Sequence, residues 1–252
     1  LSIRRALGDR RGEGGDERWL ARLLWWAGRR ADAEAAAQRS IALLEPLGPH
    51  RELALAYSGL SQLHMLRWNN DQAIAWGERA IALARQIGDD ESLAHALTNV
   101  GTARCATDRA GEAVLEEAVA IALREGFHDH AARALVNLAW NGLEEHRYPH
   151  AFTTIARAMD FADRCDLRSY RQYLLGMRAW ASLDTGDWDG AERDAAAALA
   201  IHRAHPTAVG HPAMVAQARL LVRRGDPSAD DVLDEAWRLA LRADEAQRLV
   251  PA

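Results

Sequence analysis

The chain has 252 residues, 49% of them hydrophobic and 27% charged, with a formal net charge of −5. That length can bury a real core as one large domain or two small ones, and the dominance of Ala and Leu over β-branched residues favours helix over strand. All 31 basic residues are arginine, so within these residues no phosphate-loop lysine, Schiff-base lysine or lysine general base exists.

The chain opens on LSIRRALGD, which overlays IALARQIGD at 81–89: Leu1 on Ile81, Ile3 on Leu83, Leu7 on Ile87, Gly8 on Gly88 and Asp9 on Asp89. The same register recurs halfway, with Ile41 and Gly48 in SIALLEPLG. A helix remnant is therefore expected at 1–7, as the tail of a repeat whose beginning is missing. Along the chain, first helices are expected near 16–27, 50–67, 90–106, 128–145, 167–184 and 212–223. Their partners are expected near 30–46, 70–87, 109–125, 148–164, 187–204 and 227–243. GEGG at 12–15 lacks a following Lys-Ser/Thr and a preceding strand, and it falls where a linker belongs. Turn signals rich in Gly, Asn and Asp (WAGRRAD, RWNNDQA, DTGDWDG, RRGDPSA) separate the helices of each pair. Asn70 and Asp187 suit N-caps, and Pro49 and Pro212 suit first helical turns. Residues 246–252 read as the start of a seventh hairpin, so a single array over 1–252, cut at both ends, is expected.

These elements repeat. Alanines recur at Ala33, Ala73, Ala113, Ala151, Ala191 and Ala229, spaced 40, 40, 38, 40 and 38 residues apart. Seven residues after each comes another small one (Ser40, Ala80, Ala120, Ala158, Ala198, Ala236). The next position is always large: Ile41, Ile81, Ile121, Met159, Leu199 and Trp237. Twelve residues before the first five alanines lies a third small site, at Ala21, Ser61, Gly101, Ala139 and Ala179. The sixth repeat is one residue tighter there, with Ala218. Small residues on facing helices let the backbones approach to the short end of the roughly 8–10 Å range. The large neighbour then fills the groove against the next pair.

This small–large pattern resembles the tetratricopeptide repeat over nearly the whole chain. The resemblance implies an all-α, right-handed superhelical solenoid of about six helical hairpins in 38–40-residue repeats. The unit is longer than the family's 34 residues. Ala37, Gly77, Glu117, Ile155 and Ala195 replace the family's second-helix aromatic, and Arg178 stands where a leucine is usual. Three stretches, GEGGDERWLARLLWWAGRRADAEAAAQRSIALLEPL, ELALAYSGLSQLHMLRWNNDQAIAWGERAIALARQIGD and YRQYLLGMRAWASLDTGDWDGAERDA, look like the helical-repeat region of large bacterial LuxR-type transcription regulators with the layout of the maltose-operon activator. That likeness implies a non-enzymatic sensor and self-association platform between an ATP-binding domain and a helix-turn-helix domain. The alternative is a general interaction scaffold without either.

In such a solenoid the first helices line the concave face. The register puts Arg18, Trp19, Arg22 and Trp25 there in the first repeat, Ser58, Gln62 and Met65 in the second, and His95, Thr98, Asn99 and Thr102 in the third. Arg133, Asn137 and Trp140 follow in the fourth, then Tyr173, Met177 and Trp180 in the fifth. Such a wall could hold an extended peptide, a protein or a small polar effector such as a sugar. The competing reading is that Trp140 and Trp180 pack between repeats, and that Trp19, Trp25 and Trp26 form core. The histidines in HDH at 128–130 and HRYPH at 146–150 read as solvated turn residues rather than ligands, because Pro149 breaks the i, i+4 zinc geometry. No metal, cofactor or catalytic set is expected. Acids and arginines interleave, which argues against direct nucleic-acid contact. No apolar run reaches membrane-spanning length, and Cys105 and Cys165 form no disulfide framework, which fits a cytoplasmic setting.

Overall fold

Backbones approach most closely where both partners are small, and the observed architecture is organised around such contacts. The structure, a computed structural model, describes residues 1–107, 110–204 and 207–243. It divides into two compact units, Leu1–His130 and Ala131–Ala252. Unit 1 holds α1 (Ser2–Ala6), α2 (Arg10–Trp26), α3 (Arg30–Leu44), α4 (Arg51–Leu66), α5 (Asn70–Ile87), α6 (Asp90–Cys105) and α7 (Gly111–Arg124). The next helix, α8 (His128–Glu144), starts at the boundary and belongs mostly to unit 2. That unit continues with α9 (Tyr148–Arg164), α10 (Arg168–Asp184), α11 (Trp188–Ala204), α12 (His211–Arg224) and α13 (Ala229–Ala243). No strand occurs among the described residues. The fold is an all-α repeat solenoid, and the expected helices match the observed ones to within a few residues at all but one end.

In each hairpin of unit 1 the two helices pack on each other, and the second packs on the first helix of the next hairpin. First helices also touch first helices, α2 on α4 and α4 on α6 in unit 1 and α10 on α12 in unit 2. They form one closely spaced layer in each unit. Ala33, Ala73, Ala80, Ala139, Ala151, Ala179, Ala198, Ala218 and Ala236 are fully enclosed. Where serine takes a small site, its hydroxyl meets a backbone carbonyl across the helix pair: Ser40 Oγ donates to Gly14 O at 2.7 Å, and Ser61 Oγ to Ala73 O at 2.7 Å. Those bonds satisfy hydroxyls that burial would otherwise strand.

The third hairpin departs from the expected register. Ala113 and Ala120 are exposed, and the contact positions belong to Gly111 and Ala118 instead. The true steps from Ala73 to Gly111 to Ala151 are therefore 38 and 40 residues. A Cβ on Gly111 would lie 2.4 Å from the Gly101 carbonyl oxygen and 2.3 Å from the Cys105 nitrogen. Only glycine fits this crossing, whereas an alanine two residues on satisfied the pattern by coincidence.

The exceptional end is the start of α2, which begins at Arg10 and takes GEGG into the helix. Asp9 is the N-cap, its carboxylate accepting from Gly12 N–H at 2.9 Å. The Gly12 amide, with the Arg4 guanidinium, holds this carboxyl below its usual range. Gly14 is needed because a Cβ there would lie 2.5 Å from Leu44 Cγ. Close packing against α3 outweighs the low helix propensity of the glycines. Of the expected caps, Asp187 receives Gly190 N–H at 2.9 Å, but the N-cap position of α5 is Asn69, whose side chain makes no capping bond, and Asn70 is already helical. Pro212 sits in the first turn of α12, whereas Pro49 precedes the His50 N-cap of α4. Residues 246–252, read as a seventh hairpin, lie outside the described residues.

Arg178, the departure from the leucine pattern, is accommodated by charge. Its Nε and Nη2 reach the two oxygens of Asp194 on α11 at 2.6 and 2.8 Å, and that hydrogen bonding raises the guanidinium's proton affinity. A bidentate pair thus joins α10 to α11. The sharpest test of the architecture is the third hairpin. Gly111→Ala is expected to lower unfolding free energy by about 2–3 kcal/mol, since overpacking against backbone has no side chain to displace. Ala113→Ser should stay within about 0.5 kcal/mol. Urea denaturation with equal costs for the two would place the register wrongly.

Candidate functional site

The layer of first helices carries the candidate surface of each unit. A residue directly after a small contact site is turned about 100° from it around the helix, away from the partner helix. Arg22, Gln62, Thr102, Trp140, Trp180 and Arg219 occupy that position in the six hairpins, and every one is at least partly exposed. Steps of three and four residues extend the stripe along each helix.

In unit 2 the stripe runs Arg133, Asn137, Trp140 and Glu144 on α8, then Tyr173, Met177, Trp180 and Asp184 on α10, then Arg219 and Arg223 on α12. The aromatic rings meet across helices. Trp140 lies edge-on to Trp180 with centroids 5.9 Å apart, and tilted to Tyr173 at 6.3 Å. Such pairs contribute roughly 0.5–1.5 kcal/mol beyond burial. Asp184 organises the open side. It accepts from the Trp180 indole N–H at 2.9 Å, from Arg219 Nη2 at 2.6 Å and from the Tyr148 hydroxyl at 3.3 Å. The Arg219 guanidinium lies 5.2 Å from the Trp180 ring centroid, and Arg223 Nη1 ties back to the Leu183 carbonyl at 2.8 Å. Desolvation, then the Asp184 charge, pushes the Tyr148 phenol above its ordinary range. Burial pushes the Glu144 carboxyl above its ordinary range, with the nearby Trp140 indole opposing. Both tryptophans remain partly exposed, so they pack between repeats and still present part of each ring at the surface. Arg133, Asn137 and Tyr173 are half-buried beside them.

Met177 differs. It is 0% exposed and belongs to the core, because the close approach of Gly176 to Pro212 and Ala213 draws that turn of α10 under α12.

In unit 1 the stripe is polar. Arg18 and Gln62 are half-buried and Arg22 is exposed. Thr98 and Asn99 are fully buried and act within the wall. Asn99 Nδ2 donates to Ser58 O at 2.9 Å, which joins α6 to α4, and Thr98 Oγ1 donates to Ala94 O at 2.8 Å. Thr102 spends its hydroxyl on Thr98 O at 2.7 Å. Trp25 is buried beneath the Arg30 guanidinium, 3.4 Å from its ring centroid, and is core rather than surface. Trp19, expected with it in the core, is 53% exposed. Trp26's side chain is outside the described residues. His130 is not a solvated turn residue. It is half-buried, edge-on to His95 at 5.6 Å and to Phe127 at 6.2 Å, with Nε2 3.6 Å from Glu91.

Sequence reasoning missed Asp184 and Arg219. The second was recoverable by carrying the position after the third small site to Ala218. Asp184 was not, because an aspartate before a Thr-Gly turn looks like any helix end.

No group of three or more metal-capable side chains assembles among the described residues. No helix there is long and apolar enough to cross a membrane.

These features define a tetratricopeptide-like helical-repeat fold. The fold is similar to a Rap protein complexed with competence and sporulation factor, with TM-score 0.72 and 15% identity over 94% of this chain and 66% of that one. The apo form of RapI gives TM-score 0.70 and 10% identity, over 96% and 85% of the two chains. A signal-transduction ATPase with numerous domains and a tetratricopeptide-repeat sensor, from Pyrococcus horikoshii, gives TM-score 0.62 and 16% identity over 93% of this chain. The chain spans 66% of the first protein's length and 36% of the ATPase's. No family model and no curated protein matches the sequence.

The Asp184 cluster has a direct consequence for stability. Asp184→Asn keeps the shape but removes the charge that Arg219 and Arg223 face, and is expected to cost about 2 kcal/mol with a red-shifted tryptophan emission. A loss under about 0.5 kcal/mol in urea unfolding, with unchanged emission, would mean that Asp184 does not hold the wall together.

Proposed function

We propose that this chain is the sensing segment of a larger regulator, with the inner wall of unit 2 as its effector- or partner-binding surface. The observation that carries this reading is the partly exposed Trp140–Trp180–Tyr173 cluster set beside Arg219. Flat rings offer stacking or apolar contact, while Arg219, Asn137 and Arg133 offer donors to an extended peptide or a small polar ligand. A ligand that binds this wall more tightly in one arrangement of the whole protein shifts its population toward that arrangement, and so biases self-association.

The finer reading is a LuxR-type, ATP-dependent transcription regulator, resting on the three stretches quoted above. The fold likeness to an ATPase with a tetratricopeptide-repeat sensor supports that kind of layout. On this reading the segment is no enzyme and touches no DNA itself.

Sequencing the coding DNA on either side is the first test. A phosphate-loop motif before the segment and a helix-turn-helix after it are expected, and finding neither leaves an interaction scaffold. The wall is tested separately by probing an array of random-sequence peptides and a panel of oligosaccharides. Trp180→Ala and Arg219→Ala are each expected to weaken whatever binds by about tenfold, roughly 1.4 kcal/mol, with helicity intact. Unchanged binding in both variants would remove this surface from consideration.

A further inference from the structure

Unit 1 carries a cation on its inner wall that the chain does not pair. Its neighbours are matched: Arg11 Nη2 meets Glu52 at 2.6 Å, Arg39 Nη2 meets Glu17 at 2.9 Å, and Arg51 binds Glu91. Arg18 on α2 lies among them half-buried, and among the described residues no carboxylate comes within ion-pair distance of it. Its Nε is buried without a hydrogen-bond partner. Desolvation, followed by the charges of Arg22 and Arg51, weakens its hold on its proton, with Glu52 and Glu91 opposing. Its one favourable contact is the Trp19 ring, 4.7 Å from the guanidinium carbon to the centroid.

That contact does not account for the arrangement. A cation over an exposed ring gains less than an unmet buried donor costs. Two further arginines add repulsion.

We propose that Arg18, Arg22 and Arg51 form a binding site for the phosphoryl group of a phosphorylated ligand. Three guanidinium groups drawn from two helices suit the three terminal oxygens of a phosphate monoester, while a carboxylate is filled by a single fork. Arg22 stands one turn after Arg18 on the same face of α2, and Arg51 begins α4. Arg51 can turn to the ligand without leaving Glu91 bare, because His130 Nε2 lies 3.6 Å from that carboxylate. Trp19, 53% exposed, flanks the site with a ring that can cover the rest of the ligand. This inference is independent of the aromatic wall in unit 2.

The test is calorimetric titration of the full chain with inorganic phosphate, O-phosphoserine, glucose 6-phosphate and glutarate, each against chloride at matched ionic strength. Saturable binding of at least one phosphate compound is expected, with Arg22→Gln weakening it about tenfold and Arg18→Gln abolishing it. Arg22 is exposed, so its variant keeps the fold, and circular dichroism checks the Arg18 variant. Arg85→Gln, which breaks a surface pair with Glu117, should bind as the parent does. A tighter organic ester than inorganic phosphate supports the site and identifies its source. No binding above chloride, equal affinity in the Arg18 and Arg22 variants, or glutarate binding as well as phosphate would each overturn the proposal.

Discussion

Everything in this molecule depends on how closely two helices can approach at a small residue. Packed helices normally lie about 8–10 Å apart, set by the side chains between them. Gly101 facing Gly111 and Gly14 beneath Leu44 leave no room for an added methyl, and at Gly142 facing Ala151 one would fit only if the neighbour shifted by a few tenths of an ångström. Where serine replaces alanine, a hydrogen bond to the facing carbonyl preserves the same proximity. Dispersion attraction falls steeply with separation, so a short crossing gains contacts over the length of both helices.

The same crossings separate structure from function. Once the small sites and their large neighbours are assigned to the close crossings, the adjacent stripe of each first helix is turned away from its partner helix. Its chemistry can then vary from repeat to repeat on a constant frame. In unit 2 that freedom produces tryptophan, tyrosine and arginine around Asp184. In unit 1 it produces arginines, of which Arg18 is held without a matching acid. Two surfaces of different character arise from one register.

Much of this was legible in the residues. The helix count, the pairing and most boundaries follow from a stride of 38–40 residues and from turn chemistry, both local properties. The stripe bearing Arg22, Gln62, Thr102, Trp140 and Trp180 follows from counting one place past the small site. Burial was less legible. Trp25 and Trp19 sit six residues apart in one helix, yet Arg30 from the next helix covers the first while the second faces out. Met177 has wall spacing but is drawn under α12 by the glycine beside it. Thr98 and Asn99 look like ligand groups and instead satisfy backbone carbonyls.

The sequence by itself determined that this is an all-helical repeat and which helices pair, because periodicity and propensity act within a few turns of chain. Only the tertiary structure decided that the third hairpin turns on Gly111 rather than Ala113, and that GEGG is helix rather than linker. It alone showed that Arg178 meets Asp194 and that Asp184 gathers Trp180, Tyr148 and Arg219. Each of those outcomes turns on contacts between different helices or on a competition between neighbouring candidates. A linear pattern of small and large residues does not encode either.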